Sequence, residues 1–269
     1  MSGFFIFFLI NSLIFQNSYN WHIGDINRQI SDIKAPIGFY RVDKPKKSFA
    51  NWLRALPLKN RGAKVYYYNK ILKPNQNLHY AVIDIDIGKR DLQQCADAVM
   101  RLRAEYLYSL KKYKKIAFDF TSGDNLSFFD WSIGKRAKIV KNRVKWVFNG
   151  KKGVDYENFR KYMNLIFTYA GTYSLAKETP KKNIKKMEIG NFFIKGGFPG
   201  HAIIVVDMVE NKKGQKLYLL AQSYMPAQSI HILKNFNSKL SPWYKLDNRD
   251  NIITPEWNFK KNQLHKFKQ

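Results

Sequence analysis

Two long apolar runs joined by a short polar turn constrain this chain more than anything else in it. HAIIVVDMV at 201–209 is followed by ENKKGQ and then by KLYLLAQSY at 216–224. Runs of this kind, rich in β-branched and aromatic residues and bounded by a Gly-containing turn, are strands. So short a connection makes them antiparallel neighbours. IGNFFI at 189–194 leads into the pair, and IHIL at 230–233 offers a fourth strand. Upstream, GFYRVD (38–43), KVYYY (64–68), HYAVIDIDI (79–87) and IAFDF (116–120) also read as strands.

Helical periodicity occupies three other stretches. SFANWLRAL at 48–56 has Ser48 as its cap and Pro57 as its stop. The clearest helix runs from Asp91 to Tyr113, with Asp91 as N-cap and Cys95, Val99, Leu102 and Tyr106 on one face. A second long helix covers 155–178, with Gly171 weakening its last turns. Residues 121–153 read as irregular, and TPKKNIKK at 179–186 as a surface loop. The expected architecture is α+β: an antiparallel sheet packed against a long helix, with an N-terminal extension.

That extension opens with FFIFFLINSLIF at 4–15. The run is too short to span a bilayer comfortably and matches the apolar region of a secretory signal. Residues 1–20 are read as a signal peptide or membrane anchor, 21–37 as a linker, and 38–269 as one α+β domain. The protein is therefore expected to be exported, periplasmic or membrane-associated, with membrane contact through this apolar segment. A buried N-terminal segment is the alternative.

Forty-seven basic residues against 20 acidic ones leave a net charge of +27. Such a balance speaks about partners and solubility rather than fold. It suits an anionic cell-envelope polymer or peptide, an anionic membrane surface or nucleic acid, and it also follows from the lysine-rich coding of an AT-rich genome. The basic clusters at 111–115, 135–152 and 181–186 match none of the common nucleic-acid modules.

The chain has one cysteine, Cys95, which excludes an intramolecular disulfide and a thiolate-rich zinc site. The histidines show no paired spacing, so neither a metal nor a cofactor is expected. No phosphate-binding glycine loop or serine nucleophile elbow is present. A thiol at a helix start is activated by the positive end of the helix dipole, and Gln94 beside it could supply an amide donor to an oxyanion. His201 follows the turn GGFPG and begins a strand, where a general base can face a cleft. Gln222 on the next strand could fix the tautomer of that imidazole, and Asp207 is a more distant alternative. The plainer alternatives are a core thiol for Cys95 and a turn histidine for His201.

Cysteine at a helix start, histidine at a strand start and a polar residue on the following strand is an order that resembles papain-like enzymes. IGNFFIKGGFPGHAIIVVD resembles the NlpC-type pattern, with Asn191 where that pattern has Asp. The resemblance implies a thiol hydrolase, a peptidase or amidase, with Cys95, His201, Gln222 and Gln94 as its catalytic set. A catalytically inactive relative that binds an envelope polymer or protein is the first alternative, and a basic nucleic-acid-binding protein is the second. Over nearly the whole chain, DLQQCADAVMRLRAEYL, PGHAIIVVD, LLAQSYMPAQ, SPWY and TPEW are similar to the bacterial family known as domain of unknown function 4846.

Overall fold

The computed structural model describes residues 19–21, 26–141, 143–236, 238–247 and 249–268. The apolar run at 4–15 lies outside them. No helix among the described residues is long and apolar enough to cross a membrane.

In chain order the first half contains β1 (Phe39–Tyr40), α1 (Phe49–Arg54), β2 (His79–Val82) and α2 (Cys95–Ser109). Two small hairpins follow, β3 (Ala117–Asp119) with β4 (Asn125–Ser127) and β5 (Lys135–Val140) with β6 (Arg143–Phe148). The short helix α3 (Phe128–Ser132) separates them, and α4 (Tyr156–Tyr169) and α5 (Thr172–Glu178) come next. The second half supplies β7 (Phe192–Lys195), β8 (His201–Asn211), β9 (Lys216–Gln222), β10 (His231–Leu233) and β11 (Tyr244–Leu246). A third hairpin, β12 (Asn251–Ile253) with β13 (Asn258–Lys260), precedes β14 (Leu264–His265).

The main sheet has the order β14-β7-β8-β9-β10-β2, with β1 added to β8 and β11 to β9. Every pairing in it is antiparallel. The fold is thus mixed α+β with a mostly antiparallel sheet. The unbroken hydrophobicity of β8 has a simple cause: the strand is covered on both faces. Ala202, Ile204 and Val206 belong to the core on the helix side, with Ala98, Leu102 and Ile166. Ile203 and Val205 point the other way, into a second core closed by Ile252, Phe259 and Leu264 from the C-terminal segment.

A bulge between Val205 and Asp207 breaks the β8–β9 register and leaves Val206 unpaired, while Asp207, opposite Leu219, is fully buried. Two guanidinium groups answer it. Arg54 Nε donates to one carboxylate oxygen at 2.6 Å, and Arg41 Nε to the other at 2.7 Å. Arg54 also donates to the carbonyls of Val42 and Met208, and Arg41 to that of Ile33. This clamp ties α1 and the N-terminal segment to the middle of the sheet. Ile30 and Ile33, from the stretch read as a linker, are buried in the same core.

Several local expectations need correction. The main helix starts at Cys95 rather than just after Asp91, because Asp91 spends its carboxylate on the backbone N–H of Ala227 at 2.7 Å. It ends at Ser109 rather than Tyr113. The N–H groups of Lys111 and Lys112 turn back onto the carbonyls of Tyr108 and Leu107, with Lys111 in the left-handed region, which is a Schellman stop. The helix read over 155–178 is two, broken between Tyr169 and Thr172. KVYYY makes only isolated bridges. The stretch 121–153 is not irregular, since it holds α3 and the β5–β6 hairpin.

Candidate active site in the cleft at the start of α2

What holds the start of α2 in place is a buried polar network, not the exposed ion pair that an Arg–Glu spacing of four residues suggests. Arg101 and Glu105 are both buried and meet at 2.6 Å. Arg101 further donates to Gln93 Oε1 at 2.7 Å and to Asp86 at 3.0 Å. Ser223, next to Gln222 on the sheet, donates to the Gln93 carbonyl at 3.0 Å. The residues just before Cys95 are therefore tied to the helix on one side and the sheet on the other. Gln94 is the N-cap residue with extended backbone, so Cys95 is the first helical residue.

Cys95 and His201 line one cleft of about 510 Å³ between the starts of α2 and β8 and the break between α4 and α5. Phe167, Phe198, Tyr224, Met225 and Trp257 give it apolar walls, and Phe198 and Met225 are exposed at its rim. The lining holds two carboxyl side chains, Asp91 and Asp97, the second held well above the usual carboxylate range by burial, and no lysine or arginine. Gly200 makes the approach of β8 to α5 feasible. A Cβ there would sit 2.3 Å from the Gly197 carbonyl and 2.5 Å from Thr172 Oγ1.

The imidazole is held by a chain of hydrogen bonds with only one consistent direction. Lys73 Nζ pairs with Glu256 Oε1 at 2.6 Å, and Glu256 Oε2 accepts from the Gln222 amide nitrogen at 2.6 Å. That leaves Gln222 Oε1 to face His201 Nε2 at 2.9 Å. A carbonyl oxygen only accepts, so Nε2 carries the proton and Nδ1 carries the lone pair. His231 agrees with this assignment. Its Nδ1 donates to the Ser229 carbonyl at 2.8 Å, which leaves its Nε2 to accept from the Gln222 amide at 3.5 Å. Among the described residues nothing hydrogen-bonds His201 Nδ1. The ring itself is packed by Tyr224, Trp257 and Phe259, with centroids 4.6, 5.4 and 5.8 Å away.

Both the thiol and the imidazole are neutral at neutral pH. Burial pushes the Cys95 thiol up to about 11, and the Asp97 carboxyl nearby acts in the same direction; the N–H groups of Ala96, Ala202 and Cys95 around the sulfur pull against them. Burial pushes His201 down to about 4, against the pull of its bond to Gln222. No direct hydrogen bond joins the sulfur to the ring in this structure. The Gln94 side chain is committed elsewhere, since its amide donates to Asp91 Oδ1 at 3.0 Å. Among the described residues no cluster of three or more His, Cys, Asp or Glu is gathered as a metal cage.

Of the four residues singled out by sequence, the structure thus brings Cys95, His201 and Gln94 to one cleft, with Gln222 directly behind the imidazole. Sequence reasoning missed Glu256 and Lys73. Glu256 lies in the TPEW segment, which reads as aromatic packing, and nothing in its spacing points to His201. Its contribution is measurable. Glu256→Leu should free the Gln222 amide to rotate, so that the ¹⁵N shifts of the His201 ring change from a single Nε2–H form to a mixture of tautomers. Glu256→Gln, which keeps an acceptor oxygen for the amide, should preserve the single form.

The fold and site together define a mixed α+β protein in which the start of a central antiparallel strand and the start of a helix enclose a thiol and an oriented imidazole. The chain belongs to the family described as Domain of unknown function (4846), whose model matches residues 30–266. No curated protein and no solved structure matches it.

Proposed function

We propose that this cleft is the active site of a papain-like thiol hydrolase that cleaves an amide or peptide bond through a thioester, and that it works in the cell envelope. The observation that carries the reading is the single hydrogen-bond direction from Glu256 through Gln222 to His201. It leaves Nδ1 as the acceptor of a ring that lines the same cleft as Cys95, with no hydrogen-bond partner among the described residues.

In the first step Cys95 Sγ bonds to the substrate carbonyl carbon while its proton passes to His201 Nδ1. With the thiol near 11 and the imidazole near 4, this transfer accompanies attack rather than preceding it. The oxyanion is served by backbone N–H groups at the start of α2, since the Gln94 amide is engaged with Asp91. His201 then returns the proton to the departing nitrogen as the C–N bond breaks. Water attacks the thioester, its proton goes to His201, and the carboxylic acid leaves as sulfur is reprotonated.

The cleft favours a substrate that is uncharged or cationic near the scissile bond and has an apolar group for Phe198 and Met225. The large positive charge of the molecule acts elsewhere on its surface. A second reading, an inactive relative that binds its partner in the cleft, is favoured by the raised thiol and the absent sulfur–imidazole hydrogen bond. Mass spectrometry of the full-length protein mixed with a panel of peptide esters separates the two. The hydrolase acquires an acyl group on Cys95 that hydroxylamine removes. A thiol left unacylated by every ester overturns the proposal in favour of the binder.

A further inference from the structure

A second cavity, of about 290 Å³, lies roughly two turns along α2 from Cys95 and at the far end of α5, and it shares no lining residue with the cleft. Its charged lining is mixed: Arg103, Lys114, Lys115 and Lys268 stand around it with Asp119 and Glu178. Among the described residues none of these six makes an ion pair, although bases outnumber acids 47 to 20 in the chain.

Arg103 is the most constrained of the cations. Its guanidinium carbon sits 5.2 Å from the ring centre of Phe49 and 5.5 Å from those of Tyr106 and Phe267. The rings fix the group without satisfying its donors. Its side chain makes one hydrogen bond among the described residues, a 3.5 Å contact with the Lys268 carbonyl. Burial pulls the guanidinium below its ordinary value, with Tyr106 pulling the other way. That is the mark of a cation that has lost water without gaining a carboxylate. The flat fork of a guanidinium matches a carboxylate.

The acids are equally unanswered. Glu178 Oε2 accepts from the Asp119 N–H at 2.8 Å, and Asp119 Oδ1 from the Asn125 amide at 2.7 Å. One oxygen of each carboxyl is left without a partner among the described residues. Burial holds Glu178 up to about 7; the Asp119 N–H pulls against it, the Asp119 charge adds to it, and Lys268 pulls it down without pairing. Ala117, Phe118 and Phe267 supply apolar wall. The volume is at the small end of ligand pockets, which limits the occupant to a small molecule. A simple anion would face two carboxyls, and a simple cation would leave Arg103 unanswered. A molecule with a carboxylate, an ammonium group and an apolar body answers all three.

We propose that this cavity binds a small apolar α-amino acid as its zwitterion, with the carboxylate against Arg103 and the ammonium group against Glu178 and Asp119. The proposal stands whether or not the cleft is catalytic.

Titration of the full-length protein with L-valine, L-leucine, L-methionine and L-phenylalanine, followed by ¹H–¹⁵N correlation spectra, tests it. The Asp119 amide is the reporter, because its proton is bonded to Glu178. At least one of these amino acids should shift that amide saturably. Its N-acetyl form, which lacks the ammonium group, and its carboxamide, which lacks the carboxylate, should each bind about tenfold or more weakly, the loss expected for a charge-assisted hydrogen bond. Glu178→Gln still accepts the Asp119 N–H, and Arg103→Met keeps an unbranched stem among the rings; each should weaken binding by a similar factor. Lys212→Met, a loss of charge in the β8–β9 turn, should not. Far-ultraviolet circular dichroism verifies that the variants fold, and should Arg103→Met fail to fold, Glu178→Gln and the two blocked ligands decide. The proposal is overturned by the absence of a saturable shift at Asp119 with all of the amino acids, by equal binding of either blocked form, by affinity that survives either substitution in a folded variant, or by shifts confined to the cleft around Cys95. Equal binding of acetate or inorganic phosphate overturns it in favour of a simple anion site.

Discussion

Cys95→Ala should leave no measurable amide hydrolysis while preserving the fold, a loss on the order of 10⁴-fold or more, as is usual when a nucleophile is removed. The side chain is small and lines a cleft, so its truncation opens little new cavity. His201→Ala should cost less, roughly 10²–10⁴-fold, the range that a positioned general base contributes. The pH profile is the sharper part of this expectation. His201 accepts the proton only when neutral, and burial holds it down to about 4. Turnover should therefore persist through the neutral range and fall only as pH drops through about 4. Because the thiol sits at about 11, alkylation by iodoacetamide should be slow at neutral pH and should rise with pH throughout. A preformed thiolate–imidazolium pair would instead give fast alkylation well below pH 7. Undiminished hydrolysis by Cys95→Ala would remove the mechanism altogether.

Asp207→Ala should produce the largest loss of stability. Asp207 is fully buried and is the shared carboxylate partner of Arg54 and Arg41. Removing one side of a buried ion pair leaves uncompensated charge and costs about 3–5 kcal/mol. Here two guanidiniums lose their counter-ion, and Arg54 is itself buried. Domains are stable by about 5–15 kcal/mol, so the variant should be marginal or unfolded at room temperature. Urea titration of the purified proteins checks this through the midpoint. A midpoint within experimental error of wild type would mean that the clamp adds nothing net. Asp207→Asn should fall between the two, because an amide still accepts hydrogen bonds but carries no charge.

The legible parts of the fold are those where hydrophobicity and turns agree. β7, β8 and β9 sit where the apolar runs place them, because strands covered on both faces cannot hide their composition. The pairing of helix start and strand start was also legible, from the chain order of Cys95, His201 and Gln222. The β5–β6 hairpin was not. Its alternating pattern, KRAKIV and RVKWVF across two residues, is a hairpin pattern, but its lysines and arginines mask the alternation under a charge signal. The true start of α2 was hidden because Asp91, a good cap by type, is drawn away by a backbone N–H that lies 136 residues later. Glu256 and Lys73 are 183 residues apart, and nothing local marks either as part of a site. Buried polar networks of this kind are set by tertiary contact and leave no periodicity to read.

The segment that carries Glu256 also brings Phe259 down onto the far side of the sheet. Closure of the back of the molecule and alignment of the imidazole are therefore one event. A ribosome-bound fragment ending before residue 250 would already possess its sulfur, its ring and the amide behind the ring, but nothing to stop that amide from swivelling. Under the proposed mechanism such a chain is chemically quiet while incomplete, and becomes competent only when its last section folds over like a latch.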